Sequence, residues 1–322
     1  MKPILLLLFF VTIFTSSHSQ NSNKVVSTID IDNFWEAFDS IRSTSDTLKQ
    51  LNFINQYYID KESPGLRSFR KLRGYTPSNY LKLINIYPKF WNSIRPNTLS
   101  VKNKVDQIEK SLEKFKEIYP EMSPVKMYFT IGGLRSGGTT NNNEVLIGSE
   151  IATADKNTDA SELGHWLQNV FANQDPSNLV GLNIHECVHT QQRSNSNILL
   201  GHSIQEGSCD FIEELVMEKE LITSYTIFGR AHVDSLKEAF KQEMFSNNYI
   251  NWLYNGNKSK HADLGYFIGY AICKDYYNKS TNKRQAVKDI IQLNFSNKKE
   301  VNDFVNRSRF FKEPISEGNS TK

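Results

Sequence analysis

Histidine is scarce in this chain, seven in 322 residues, yet two of them flank a glutamate in the run His185-Glu186-Cys187-Val188-His189. On an α-helix, residues four apart stand about 40° apart around the axis and roughly 6 Å along it, so both imidazoles can reach one ion. Glu186 is one step, about 100°, round from His185. It stands beside that ion without using a coordination position, where it can take a proton from a water molecule that the metal activates. This HExxH pattern points to metal-assisted hydrolysis. The competing reading is a pair of ordinary helix histidines with satisfied hydrogen bonds, and Ile184 and Val188 show that the helix has a packing face too.

Catalytic zinc usually takes three protein ligands and leaves one position for water, so a further ligand must come from another element. The downstream segment 203–215 offers Glu206 and, four residues on, Asp210. Both are expected on one face of an amphipathic helix that begins at Glu206. One carboxylate can bind the ion while the other accepts the outer N–H of a ligating histidine, which fixes its tautomer. Cys187 and Cys209 lie inside the two helices, and both are assigned to packing. Cys187 is two residues from each histidine and so points about 200° away from them. His165 and His202 are read as surface or core residues.

With these residues in place, the sequence resembles the gluzincin metallopeptidases, which pair HExxH with a glutamate on a following helix. Glu206-Gly207 and Asp210 look like their E-x-x-x-D pattern. It is more particularly similar to exported bacterial proteins known as predicted zinc-dependent proteases, relatives of a gliding-motility lipoprotein family. The likeness rests on three blocks: Gly137-Gly138-Thr139-Thr140 running into Ile147-Gly148-Ser149-Glu150; the HExxH run to Gln192 with the Glu206 segment; and Gly265-Tyr266-Phe267-Ile268-Gly269-Tyr270. They fall within residues 125–277. The resemblance implies an α+β, mostly helical, zincin-like metallopeptidase fold, with a small mixed sheet packed on the HExxH helix. It also implies that Glu206 is the third zinc ligand, that Asp210 supports a ligating histidine, and that substrate runs along an edge strand at residues 144–150. The oxyanion donor of such enzymes is a tyrosine or histidine after the third ligand. Tyr266 is the choice here, with His261, His232 and Arg230 as alternatives. Two departures stand out: Cys209 replaces an expected small residue, and the lipoprotein relatives' lipobox cysteine is missing.

Positioning these groups falls to a chain whose apolar period changes along its length. Residues 32–61 carry Phe34, Ala37, Phe38, Ile41, Leu48, Leu51, Ile54 and Tyr57 at helical spacing. A helix is expected from Pro77-Ser78, through Tyr80, Leu81, Ile84 and Phe90, ending by Pro96. Another spans 101–119, with Val105, Ile108, Leu112, Phe115 and Ile118 on one stripe. Residues 125–131 and 144–148 are β-rich. The glycine-rich connector 132–143 between them reads as a mobile hairpin loop. A phosphate cradle is rejected there, because no GK[ST] follows and no helix opens from the glycines. From about 159 to 307 the chain reads as helical again. The expected organisation is a signal peptide at 1–19, a helical layer at 20–124, a catalytic region at 125–311 and a disordered tail at 312–322.

The signal rests on Lys2, an apolar run from Ile4, and Ser17-His18-Ser19, a small-x-small cleavage pattern. After cleavage no integral membrane segment is expected, and localisation is read as secreted or periplasmic. A net charge of +3, with basic residues scattered among acidic ones, argues against a nucleic-acid partner. Three cysteines allow at most one disulfide. The expected function is a peptidase with Zn²⁺ as cofactor, Glu186 as general base, and a peptide or protein as substrate. The alternative is a non-catalytic zinc-binding assembly protein of the cell envelope. A metal-free helical adaptor is the third reading.

Overall fold

The computed structural model describes residues 25–256 and 259–315. The expected signal peptide lies outside these, as does the tail beyond residue 315. Within the tail, Ile315 is buried, and Asn306 Oδ1 accepts its backbone N–H at 2.8 Å. The predicted disorder therefore does not hold at residue 315, because an apolar side chain there reaches the core.

Six helices build the first layer: α1 (Ile29–Arg42), α2 (Thr47–Ile54), α3 (Pro64–Arg73), α4 (Pro77–Ile86), α5 (Pro88–Ser100) and α6 (Val105–Ile118). Their starts follow from local chemistry. Asp46, Ser63 and Thr76 each cap exposed helix N–H groups, and Pro64 and Pro77 enter at the first turn, where a missing N–H costs nothing. The single helix expected from Pro77 to Pro96 is two. Tyr87, which precedes Pro88, is forced out of the helical region to φ −124° and ψ 50°. Pro96 does not end α5. Burial of Phe90, Trp91, Ile94 and Thr98, with a hydrogen bond from Trp35 Nε1 to Thr98 Oγ1 at 2.9 Å, offsets the backbone bond it removes.

The sheet has four strands, β1 (Val26–Ser27), β2 (Lys126–Thr130), β3 (Gly138–Asn141) and β4 (Glu144–Gly148), in the order β1-β2-β4-β3. β1, β2 and β4 are parallel, and β3 is antiparallel to β4. An edge strand is expected over residues 144–150, yet 144–148 form the inner strand β4 and residues 149 and 150 open a helix. The edge on that side is β3, formed by the second half of the glycine-rich connector. The first half is not a mobile loop either. Tyr58 and Tyr80 hydroxyls both donate to the Ile131 carbonyl, at 2.8 and 3.1 Å, and Tyr75 donates to Gly133 at 2.6 Å. The buried Glu150 carboxylate accepts the N–H groups of Gly132 and Leu134 at 2.9 and 2.8 Å.

The remaining helices are α7 (Ser149–Ala152), α8 (His165–Asn173), α9 (Leu179–His189), α10 (Leu199–Met217), α11 (Ser224–Ala231), α12 (Val233–Glu243), α13 (Leu264–Lys279), α14 (Lys283–Ile291) and α15 (Lys298–Ser308). The chain is thus α+β and mostly helical, with a small mixed sheet. One hydrophobic cluster runs from Val26 through Phe34, Trp91, Ile184 and Ile204 to Ile315, so the first helical layer and the region after it share a core. No described helix is long and apolar enough to cross a membrane.

Two helices decide the site. α10 and α13 approach so closely that a Cβ on Gly269 would lie 1.6 Å from the Ser203 carbonyl oxygen, and one on Gly207 would lie 2.0 Å from the Tyr270 nitrogen. Glycine is required there for backbone-to-backbone contact. Gly269→Ala is expected to destabilise the fold by about 2 kcal/mol through overpacking, read as a lower urea midpoint; an unchanged midpoint would show that the helices can part freely.

Candidate metal centre

α9 presents His185, Glu186 and His189, and α10 presents Glu206 and Asp210. The expectation that a helix begins at Glu206 is corrected: α10 starts seven residues earlier, at Leu199, so Glu206 lies in a rigid helix interior. The helices bring the carboxylate oxygen Glu206 Oε2 to 3.6 Å from His185 Nε2 and 3.2 Å from His189 Nε2. The imidazole centroids are 5.0 Å apart and the rings are inclined at 75°.

The outer ring nitrogens are both engaged. His185 Nδ1 is 2.9 Å from Asp210 Oδ1, and Tyr225 donates its hydroxyl to the other oxygen of Asp210 at 2.9 Å. His189 Nδ1 is 2.9 Å from Gln192 Oε1. The amide nitrogen of Gln192 donates to the Gln205 carbonyl at 2.8 Å and to Ser208 Oγ at 3.0 Å, which fixes its oxygen as the acceptor toward His189. When neutral, each imidazole would therefore carry its proton on Nδ1 and turn the Nε2 lone pair inward. Two lone pairs and a carboxylate then face one point, an arrangement that calls for a cation.

Two imidazoles and a carboxylate form a donor set suited to a divalent cation. Zinc bonds of about 2.0–2.1 Å in tetrahedral geometry put ligand atoms roughly 3.3 Å apart, and the two imidazole–carboxylate separations bracket that value. Without a cation, protons must supply the positive charge. Burial disfavours the imidazolium at both histidines, but at His185 the Asp210 and Glu206 carboxylates outweigh it and hold the pKa well above the usual range. Glu206 raises His189 in the same way. Burial works against the Glu206 carboxylate too, and the two histidines more than reverse this, keeping it well below the ordinary value.

Two tighter groups of potential ligands also exist, His185 with His189 and Cys209, and His185 with Asp210 and Glu213, each with its ligand atoms within 4.8 Å of one another. Neither is as suitable. Cys209 Sγ lies 3.4 Å from His189 Nδ1, the nitrogen already bound to Gln192, and full burial keeps its thiol pKa well above the ordinary value. Asp210 is committed to His185 and Tyr225. All three cysteines are free and buried, so the one disulfide allowed by composition does not form.

Glu186 is half-buried on the side of the sheet. Its Oε1 would be 2.7 Å from a Cβ on Gly138, so the edge strand passes directly over this carboxylate. Tyr266 lies beside the site, its ring 6.3 Å from that of His185 and inclined at 23°. The alternatives are engaged elsewhere. His232 and His261 stack on Phe228 with centroids 4.0 and 3.9 Å away, and Arg230 donates to the Leu221 carbonyl at 2.8 Å. His165 is exposed at the start of α8, and His202 packs on Tyr249 at 4.8 Å. Sequence reasoning missed Gln192, Tyr225 and Tyr254, whose hydroxyl donates to Glu206 Oε1 at 2.6 Å. Gln192 lies past the end of α9, in a turn whose N–H returns to the His189 carbonyl, so helical spacing did not point to it. The two tyrosines come from separate elements and carried no local signal.

No model of a known protein family matches this chain, and no curated protein or solved structure shows significant similarity to it.

Proposed function

We propose that this protein is a zinc-dependent peptidase of zincin-like design, with Glu186 as its general base. The observation that carries the reading is the approach of both imidazole Nε2 atoms to one oxygen, Glu206 Oε2, at 3.6 and 3.2 Å, with the Glu186 carboxylate one residue from the first of them. A purely structural zinc site usually closes all four positions with protein ligands and has no use for such a base.

When bound, zinc polarises the scissile carbonyl and makes water acidic enough to be deprotonated near neutral pH. His185, His189 and Glu206 would hold the ion, while Asp210 and Gln192 keep the imidazoles in orientation. Glu186 takes a proton from the attacking water onto its carboxylate and delivers it to the nitrogen of the departing amine. An extended peptide adds to the free edge of β3, where unpaired backbone groups give affinity without demanding a sequence. That strand crosses Glu186 at Gly138, so a peptide bond held on it lies within reach of the base. Tyr266 supplies a hydroxyl donor for the carbonyl oxygen as it gains charge.

The test is metal analysis of the purified protein, together with cleavage of a mixed peptide library with and without a chelator. One zinc ion per chain is expected, with cleavage lost on chelation and restored by added zinc. Zinc without cleavage would favour the non-catalytic envelope role, and failure to take up zinc on reconstitution would remove both.

A further inference from the structure

Tyr254 lies between α12 and α13 in a backbone conformation that suits it poorly. Its φ is +56°, the left-handed region that aromatic residues rarely adopt. The chain around it is anchored on both sides. Trp252 and Leu253 are buried before it, and buried Asn255 follows. Asn255 and Asp263 close the base of the connection reciprocally. The Asn255 N–H donates to Asp263 Oδ1 at 3.2 Å, and the Asp263 N–H donates to Asn255 Oδ1 at 2.8 Å.

Burial does not account for the strain, because Tyr254 is 54% exposed. Its hydroxyl reaches back to α10 and donates to Glu206 Oε1 at 2.6 Å. Its ring stands edge-on to Tyr266 and Tyr249, with centroids 6.2 and 6.0 Å away, which fixes the direction of approach. Strain of this kind persists where surrounding structure imposes it, and it concentrates at functional sites.

The two oxygens of Glu206 thus have separate tasks. Oε2 faces both imidazoles, and Oε1 is taken by the phenol. We propose that Tyr254 is a positioning residue for the metal centre: it holds Glu206 as a one-oxygen ligand and thereby sets the affinity for zinc. A glutamate without this partner would lose its fixed direction toward the imidazoles, and ordering it would then count against metal binding. The inference rests on the zinc reading proposed above, and it assigns to an exposed loop tyrosine a role in metal affinity that nothing in its own neighbourhood on the chain announces.

The experiment is a competition titration of the full chain against a chromophoric zinc chelator, for the parent, Tyr254→Phe and Tyr254→Gly. Tyr254→Phe keeps the ring and loses the hydroxyl, and it is expected to weaken zinc binding about tenfold or more, the usual effect of removing a partner of a metal ligand. Its metal-free thermal midpoint should fall by no more than a few degrees, the cost of about one hydrogen bond. Tyr254→Gly removes both phenol and strain, so zinc binding should weaken while the metal-free midpoint stays level or rises. Equal zinc affinity in parent and Tyr254→Phe would overturn this proposal and leave the zinc site standing, whereas a parent that takes up no zinc would overturn both. A metal-free midpoint for Tyr254→Gly well below the parent's would show that the residue serves packing instead.

Discussion

Glu186→Gln is expected to lower kcat for peptide cleavage by about 10²–10⁴-fold, the range for loss of a positioned general base, while zinc content stays at the parent's level. The substitution keeps the side chain's size, so its contact with Gly138 of β3 survives. It removes only the capacity to accept a proton. None of the three proposed ligands is changed, and Asp210 and Gln192 still hold the histidines. Measurement of kcat beside metal content separates this variant from any ligand variant, which would lose zinc and cleavage together. Full activity in Glu186→Gln would transfer the base to another group and sink the assignment. Under the proposed mechanism the effect should fall on kcat more than on KM, because Glu186 would act on the water molecule while β3 holds the peptide.

The HExxH run and the Glu206 and Asp210 pair could be read from the sequence because α-helical geometry fixes which residues share a face over a few turns. His185 and His189 belong to one helix, and Asp210 follows Glu206 by about one turn, so spacing alone placed them in pairs. What spacing does not contain is the contact between elements. β3 reads Gly-Thr-Thr-Asn and has no apolar alternation to announce a strand; it exists because each residue pairs with β4, from Gly138 with Ile147 to Asn141 with Glu144. That pairing moves β4 to the interior and makes β3 the edge on that side, reversing the expectation. Gly138 is also a position where a side chain would collide with Glu186, so the feature that hides the strand is the one the site needs. Tyr225 and Tyr254 escaped for the same reason: each reaches a carboxylate of α10 from a segment whose own pattern is unremarkable. Pro88 carried a boundary signal, whereas Pro96 inside α5 shows burial overriding a local breaker.

The first half of the same connector leads to an expected pH dependence. Glu150 is fully buried, and burial pushes its carboxyl up from an ordinary 4.5 to about 7, against the lowering effect of the Leu134 and Gly132 N–H groups it accepts. The folded state therefore binds a proton more tightly than the unfolded chain does. Stability from this group is fully present below the unfolded value near 4.5 and is lost as pH rises through about 7. The shift corresponds to roughly 3 kcal/mol over the whole window, of which about 2–3 kcal/mol falls between pH 5 and pH 8. Asp30, pushed up to about 6, and Glu213, pushed up to about 7, both mainly by burial, slope the same way. The contribution of Glu150 is isolated by comparison with Glu150→Gln, which cannot titrate. Urea unfolding of the metal-free proteins at pH 5 and pH 8 should show the parent losing about 2–3 kcal/mol more than the variant. Parallel losses would mean that Glu150 is not protonated in the fold. At pH 5 the variant should itself be less stable than a simple isostere suggests, because a glutamine can accept from Gly132 or Leu134 with its oxygen but turns an N–H toward the other donor. This anchor sets the path from β2 to β3, and so the height at which Gly138 crosses Glu186.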